Sequence, residues 1–117
     1  MTGKHKIPAG VCNAARKALQ MHRNGMKGMM ETGLKRARQL SRCTYVDDAT
    51  IRTMRAWFKR HRYTSYPGYK KWIHDGKPMA PSREKGIRAG AYRGAKAWLG
   101  WGGDPAAKWV KRVKLTQ

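Results

Sequence analysis

The chain has 117 residues, and its 27 Lys and Arg against six Asp and Glu give a formal net charge of +21. Hydrophobic residues make up 40% of it, with five Trp and seven Met, which is enough for the core of one small domain and excludes a disordered basic tail. Residues 1–7 are predicted to be a flexible N-terminus without the apolar run of a secretory signal, and no segment is apolar enough to span a membrane. Two cysteines, Cys12 and Cys43, are too few for a disulfide framework, so the sequence predicts a protein of a reducing cytoplasm that is neither secreted nor membrane-bound.

The excess of positive charge predicts a polyanionic partner. Like charges on one small domain repel one another and oppose folding, and an oppositely charged partner relieves that repulsion. DNA or RNA is the most common partner of such a chain, while an anionic membrane or an acidic protein surface is an alternative. A highly soluble surface is a third interpretation, although a balanced mixture of charges would give solubility equally well.

Hydrophobic periodicity predicts the first three helices. Apolar residues three and four positions apart indicate a helix over 8–22 and a second helix over 27–40. The third helix has the clearest start, because Asp47 is a favourable N-cap and Val46 and Ile51 are placed to form a hydrophobic staple.

The second half of the chain is rich in Gly and Pro. Residues 63–81 are predicted to form one long loop rich in Tyr and Trp, because three Pro and two Gly interrupt it. A fourth helix is predicted over 82–99, where glycines at every fourth position would let a neighbouring backbone approach closely.

The last predicted elements of the chain are a turn and a helix. Gly102 and Gly103 predict a sharp turn that needs positive φ angles. Asp104 as the N-cap and Pro105 at the first helical position predict a helix that ends near residue 113. Since no strand pattern competes, the sequence predicts an all-α fold over 1–117, a single compact domain of about five short helices with one long loop.

Four cations on the third helix form the first candidate site. Spacings of three, four and three residues place them on one face, opposite the hydrophobic face, as Arg52, Arg55, Lys59 and Arg62. Such a row can follow the phosphates of a nucleic acid or enter a major groove, whereas in a chain of balanced charge it would be an ordinary solvated face. Further cations are predicted to support the contact: Arg36, Lys70, Lys71 and Arg93.

Aromatic residues in the predicted loop form the second candidate site. Tyr66, Tyr69 and Trp72 recur every third residue among lysines, and aromatic rings beside cations can stack on unpaired bases. The alternative is that the rings hold the loop against the helical core. The spacing alone does not decide between the two.

The residues that enzymes use are not arranged for catalysis. Four His and two Cys show none of the spacings of a zinc site, and no glycine-rich phosphate loop follows a strand. A metal-dependent nuclease needs clustered carboxylates, whereas most of the six acids stand at predicted helix starts as caps. The sequence therefore predicts a protein that is not an enzyme, with no metal and no cofactor.

Four blocks of sequence, in order, carry a further pattern. They lie at residues 6–19, 33–40, 50–61 and 98–109, with Arg36-Ala37-Arg38, Phe58-Lys59-Arg60-His61 and Trp101-Gly102-Gly103-Asp104 inside them. The pattern resembles a small helical module of tailed-phage structural and head-maturation proteins, the N-terminal domain associated with PBSX-type prophage proteases. This resemblance implies a phage origin and a place in the virion or in head assembly, and it carries over no catalytic residue.

The chain departs from that pattern in its charge. Acidic residues usually follow the Arg-His pair in the module, whereas Arg62, Tyr63 and Thr64 follow it here. The additional positive charge is therefore particular to this chain and indicates a role beside packaged nucleic acid.

The leading hypothesis is a phage-encoded protein that binds DNA or RNA through phosphate contacts, in the virion or in the host cytoplasm. Phage capsid or portal proteins are further candidate partners. The alternative hypothesis is a capsid accessory or assembly protein whose cations bind acidic protein surfaces, without affinity for nucleic acid.

Overall fold

A computed structural model describes residues 3–115. Within them the chain forms six α-helices and one two-stranded antiparallel sheet, so the predicted class is confirmed as mainly α. No helix of the described chain combines the length and the apolar character needed to cross a membrane. The strands are β1 (Lys4–Lys6) and β2 (Tyr45–Asp47), and the helices are α1 (Ala9–Arg23), α2 (Glu31–Ser41), α3 (Asp48–His61), α4 (Tyr66–His74), α5 (Arg93–Gly100) and α6 (Gly103–Arg112).

The predicted start of α3 is confirmed in detail. The Asp47 carboxylate accepts a hydrogen bond from the Thr50 backbone N–H at 2.8 Å, which satisfies one of the unpaired donors of the first turn. Val46 and Ile51 on either side of this cap are both buried, as a hydrophobic staple requires.

The predicted flexible N-terminus is wrong for the described residues 3–7. β1 pairs with β2 in antiparallel register, with His5 opposite Val46. Ile7 is buried, and its N–H donates to the Thr44 carbonyl at 2.9 Å. Residues 1 and 2 of that predicted segment lie outside the described residues. Alternation over three residues is too short a pattern to predict a strand, so only the pairing partner reveals it.

The predicted loop over 63–81 is wrong, because α4 lies inside it. Pro67 occupies the first turn of α4, where a missing N–H costs nothing, so it begins a helix instead of breaking one. Gly68 follows in the same turn and lies against α5, where an added Cβ would be in van der Waals contact with the Gly94 Cα at 3.4 Å. The α4–α5 contact therefore stabilises a helix that local propensity disfavours.

The predicted helix over 82–99 is wrong in its first half. Ser82 and Ile87 exchange two backbone hydrogen bonds of 2.9 and 2.7 Å, which close a tight turn. Gly86 in this turn has a φ of +70°, and α5 begins only at Arg93. Each glycine in a helix interior costs about 1 kcal/mol relative to alanine. In the first half of the segment a turn is therefore more stable than a helix.

The turn before α6 has the positive φ angles that were predicted, +105° at Gly102 and +66° at Gly103. The predicted N-cap is wrong: Gly102 is the N-cap, and Asp104 lies inside the first turn of α6. The Asp104 carboxylate instead accepts a hydrogen bond from the Trp98 indole N–H at 2.9 Å. This contact joins the start of α6 to α5.

Two hydrophobic clusters lie on either side of α5. α1 packs against α2, α5 and α6, while α3 packs against α6 and α4 against α5. The larger cluster contains four of the five Trp, and the smaller one contains Met21, Met26, Trp72 and Tyr92. Cys12 and Cys43 form a disulfide, a bond that the sequence did not predict, and it ties α1 to the connection between α2 and β2.

Candidate nucleic-acid interface

The exposed face of α3 presents part of the predicted cationic row. Arg52 and Lys59 are exposed, two helical turns apart, on the side opposite the buried Met54 and Phe58. Arg62 is exposed immediately after the last turn. Three of the four predicted cations are therefore exposed.

Arg55 is used differently, because its guanidinium is half-buried against α6. Its Nε donates to the Val110 carbonyl and one of its terminal nitrogens donates to the Val113 carbonyl. These carbonyls belong to the last turn of α6 and the residue after it, where no helical partner remains. Arg55 therefore holds the C-terminal end of α6 against the middle of α3.

This contact adds cations that were not among the predicted site residues. The exposed Lys111, Arg112 and Lys114 lie in and after the last turn of α6, beside the carbonyls that Arg55 binds. Their charge is evident in the sequence, whereas their proximity to α3 depends on the Arg55 contact. We give the exposed cations of these two packed helices one name, the α3–α6 basic face, and define it by Arg52, Lys59, Lys111, Arg112 and Lys114.

Arg36 is half-buried between α2 and the turn before α6. Its guanidinium lies 5.3 Å from the centre of the Trp101 ring and donates to the Gln39 side chain. Burial lowers the pKa of Arg36 from its usual value, and nearby Asp47 opposes that effect. Arg36 thus continues an aromatic stack, in which Trp57 lies 5.0 Å from Trp101 and nearly parallel to it.

The remaining supporting cations lie on α4 and α5. Lys70 and Lys71 are exposed on α4, and the Lys70 ammonium lies 5.8 Å from the centre of the Tyr66 ring. Arg93 is exposed at the first position of α5. The structure shows no contact that joins these three residues to the α3–α6 basic face within the described residues.

The predicted aromatic set packs mainly into the core. Trp72 is only 1% exposed and its indole N–H donates to the Pro78 carbonyl at 2.8 Å, so it has no free face for a base. Tyr66 and Tyr69 are half-buried against Trp98, at 4.9 and 6.4 Å between ring centres. Trp72 therefore holds its segment against the core, which is the alternative interpretation of these rings, and the predicted stacking role is wrong for Trp72.

Four of the six acids bind uncharged groups or contact histidine, and Glu31 lies 3.9 Å from Lys35 on the surface of α2. Asp75 accepts a hydrogen bond from the Tyr92 hydroxyl at 2.8 Å, and this bond lowers the pKa of the carboxyl. The buried Asp48 contacts the His5 ring at 2.5 Å, and Asp47 and Asp104 bind the Thr50 N–H and the Trp98 indole. These four acids therefore serve the fold, and six acids are too few to pair with 27 cations.

One cation is buried without an acid. Lys96 on α5 is 1% exposed, and its ammonium donates to the Met26 carbonyl at 2.7 Å and lies 2.8 Å from His22 Nδ1. Burial lowers the pKa of Lys96. Because an ammonium only donates, His22 Nδ1 accepts this bond, which requires a ring without a proton at that atom.

Acid is expected to destabilise the protein through two histidines. Burial and then nearby Lys96 and Arg38 lower the pKa of His22 below 6.5, and burial and then Arg60 lower that of His61. The folded state favours both neutral rings, so their contribution to stability is fully present above pH 6.5 and is lost as the pH falls below it. Urea unfolding at a series of pH values should show this loss.

The double variant His22→Gln, His61→Gln provides the comparison for this pH dependence. We expect its free energy of unfolding to change less than that of the wild type between about pH 7.5 and about pH 5.5, where Asp and Glu remain ionised. If the free energy of unfolding changed equally with pH in the two proteins, the assignment of the pH dependence to His22 and His61 would be contradicted.

The described residues contain no group of three His, Cys, Asp or Glu side chains that could hold a metal ion. In comparisons with models of protein families, with curated proteins and with solved structures, no match to this chain was found. The relation to the tailed-phage module therefore stays a prediction from the sequence blocks.

Proposed function

We propose that the chain is a non-enzymatic, phage-encoded protein that binds DNA or RNA through phosphate contacts on the α3–α6 basic face. The resemblance to the tailed-phage module supports a place in the virion or in head assembly. Binding to phosphates requires no base-specific geometry, so a surface of long cationic side chains is sufficient for it.

One observation carries the proposal: the positive charge is on the surface and exceeds what the acids can neutralise. All Lys and Arg residues are exposed except the half-buried Arg36 and Arg55 and the buried Lys96. Even if every acid paired with one cation, 21 positive charges would remain. A polyanion that releases its counterions on binding relieves this repulsion.

The same surface is less suited to an acidic protein partner. Protein interfaces have an apolar centre with few charges, rich in aromatic residues and Met. Within residues 3–115 the exposed large hydrophobic residues are few: Met30, Tyr45, Tyr63 and Ile73. Of these, Tyr63 alone follows directly on α3, and one ring does not make an apolar centre, so charge is the main attraction that the α3–α6 basic face offers.

Fluorescence anisotropy with labelled DNA and RNA across a series of salt concentrations tests the proposal. Log affinity is expected to fall linearly with log salt, with a slope of about −0.9 for each phosphate contact on duplex DNA. Replacing two cations of α3, Arg52→Glu with Lys59→Glu, is expected to make that slope shallower by about 1.8 and to weaken binding roughly tenfold to hundredfold.

A matched control has the same change of charge elsewhere. Arg83→Glu with Lys85→Glu alters two exposed cations in the turn over 82–87 and lowers the net charge equally. If this control weakened binding as much as the α3 variant, total charge and not the α3–α6 basic face would govern binding. Negligible binding by the wild type at moderate salt would contradict the proposal and favour the acidic-protein alternative, which pull-downs with capsid and portal proteins would then examine.

A further inference from the structure

Tyr63 is exposed although the chain buries most of its other aromatic rings. It lies between α3 and α4 and is 80% exposed, whereas all five Trp and Phe58 are buried. It belongs to neither hydrophobic cluster of the described residues. The ring therefore adds little to the stability of the fold and is available to a ligand.

Cations, and no acids, are close to this ring in the sequence, and one of them contacts it. The Arg62 guanidinium lies 5.9 Å from the centre of the Tyr63 ring, and Lys59 and Arg60 are exposed in the preceding turn. The stretch of residues 49–74 contains seven Lys and Arg and no Asp or Glu. Any phosphate chain attracted to the end of α3 would pass beside this ring.

We infer that Tyr63 stacks on an unpaired base of nucleic acid bound at the end of α3, so that the protein prefers single strands to duplexes. The inference rests on the proposed function and specifies its substrate. Aromatic rings stack on any base through the π-face, while neighbouring cations bind the backbone. In a duplex the bases are already stacked on each other, so no base has a free face on which this ring could stack.

The second exposed tyrosine lies in a different electrostatic setting. Tyr45 on β2 is 57% exposed and has the Lys6 ammonium 5.2 Å from its ring centre. It precedes Asp47 and Asp48 at the start of α3, whereas Tyr63 follows the end of the same helix. A helix of 14 residues is about 20 Å long, which separates the two tyrosines. Because carboxylates repel phosphates, Tyr45 is a matched control for an exposed tyrosine beside a cation.

Two oligonucleotides with the same phosphates separate stacking from phosphate binding. One is a labelled single-stranded oligothymidylate, and the other has the same backbone with abasic sites in place of the bases. We expect the wild type to bind the base-containing strand about tenfold more tightly, with equal salt slopes for both. Tyr63→Ala should lose this difference, while Tyr63→Phe and Tyr45→Ala should retain it.

Equal affinity of the wild type for the two strands, with a steep salt slope, would overturn the stacking inference and leave the proposed phosphate binding intact. Retention of the difference in Tyr63→Ala would overturn the assignment to this residue. If the wild type bound neither strand, the inference would be overturned, and absence of binding to duplex DNA and to RNA as well would overturn the proposed function. Because Tyr63 is exposed, circular dichroism is expected to show the same fold for its variants as for the wild type.

Discussion

Replacing Trp57 by Ala is expected to lower the free energy of unfolding by about 3–5 kcal/mol, a large part of the stability of a domain of this size. Trp57 is 6% exposed and contacts rings from three parts of the chain. It stacks on Trp101 at 5.0 Å and on His61 at 4.5 Å, and it lies 5.9 Å from Trp98. The substitution leaves a cavity where α3 meets α5 and the turn before α6.

Urea unfolding followed by circular dichroism measures this loss, and Trp57→Phe is the control. A phenyl ring keeps an aromatic contact with Trp101 and fills part of the volume, so we expect a loss of about 1–2 kcal/mol. A loss below about 1 kcal/mol for Trp57→Ala would mean that the aromatic stack is not a main element of the core.

Gly102→Ala is expected to lower the free energy of unfolding by about 3 kcal/mol, from backbone strain and overpacking together. Gly102 has a φ of +105°, which a side chain disfavours. An added Cβ would lie 2.4 Å from the Ala106 Cβ and 2.9 Å from a Val11 methyl, and both neighbours are fully buried. The substitution therefore forces α6 away from α1 or distorts the turn.

Gly25→Ala separates the two causes of that loss. Gly25 has a φ of +91°, but an added Cβ would meet nothing within 4 Å, so only the backbone strain applies. We expect a loss of about 1 kcal/mol for this control in the same urea experiment. Equal losses at Gly25 and Gly102 would show that packing of α6 on α1 does not require a glycine.

The candidate site was predictable in part. The exposed positions Arg52, Lys59 and Arg62 follow from helical spacing, because a helix places residues three and four apart on one face. The role of Arg55 does not follow, since its carbonyl partners at the end of α6 and just after it lie 55 and 58 residues further along the chain. Periodicity describes the direction of a side chain, and the partner that it meets depends on how the helices pack.

The aromatic residues show the same limit. Tyr66, Tyr69 and Trp72 have the regular spacing that attracts attention, yet packing of α4 on α5 buries Trp72 and half-buries the two tyrosines. Tyr63 has the greater exposure, and the signal that could have identified it is its position directly after the cations of α3. Exposure of a ring in a segment between helices is a property of the packed structure.

The sequence by itself determined the net charge, the mainly helical class and the start of α3, where the Asp47 cap and the Val46–Ile51 staple join residues at most five positions apart. Tertiary structure alone decided that α4 forms after Ser65, that residues 82–87 turn instead of continuing a helix, and that Asp104 binds Trp98 instead of capping α6. In these places local preferences are weak or conflicting, with Pro and Gly disfavouring helices that packing can stabilise. The free energy that decides them comes from contacts between helices, such as Gly68 against Gly94, whose partners are distant in the sequence.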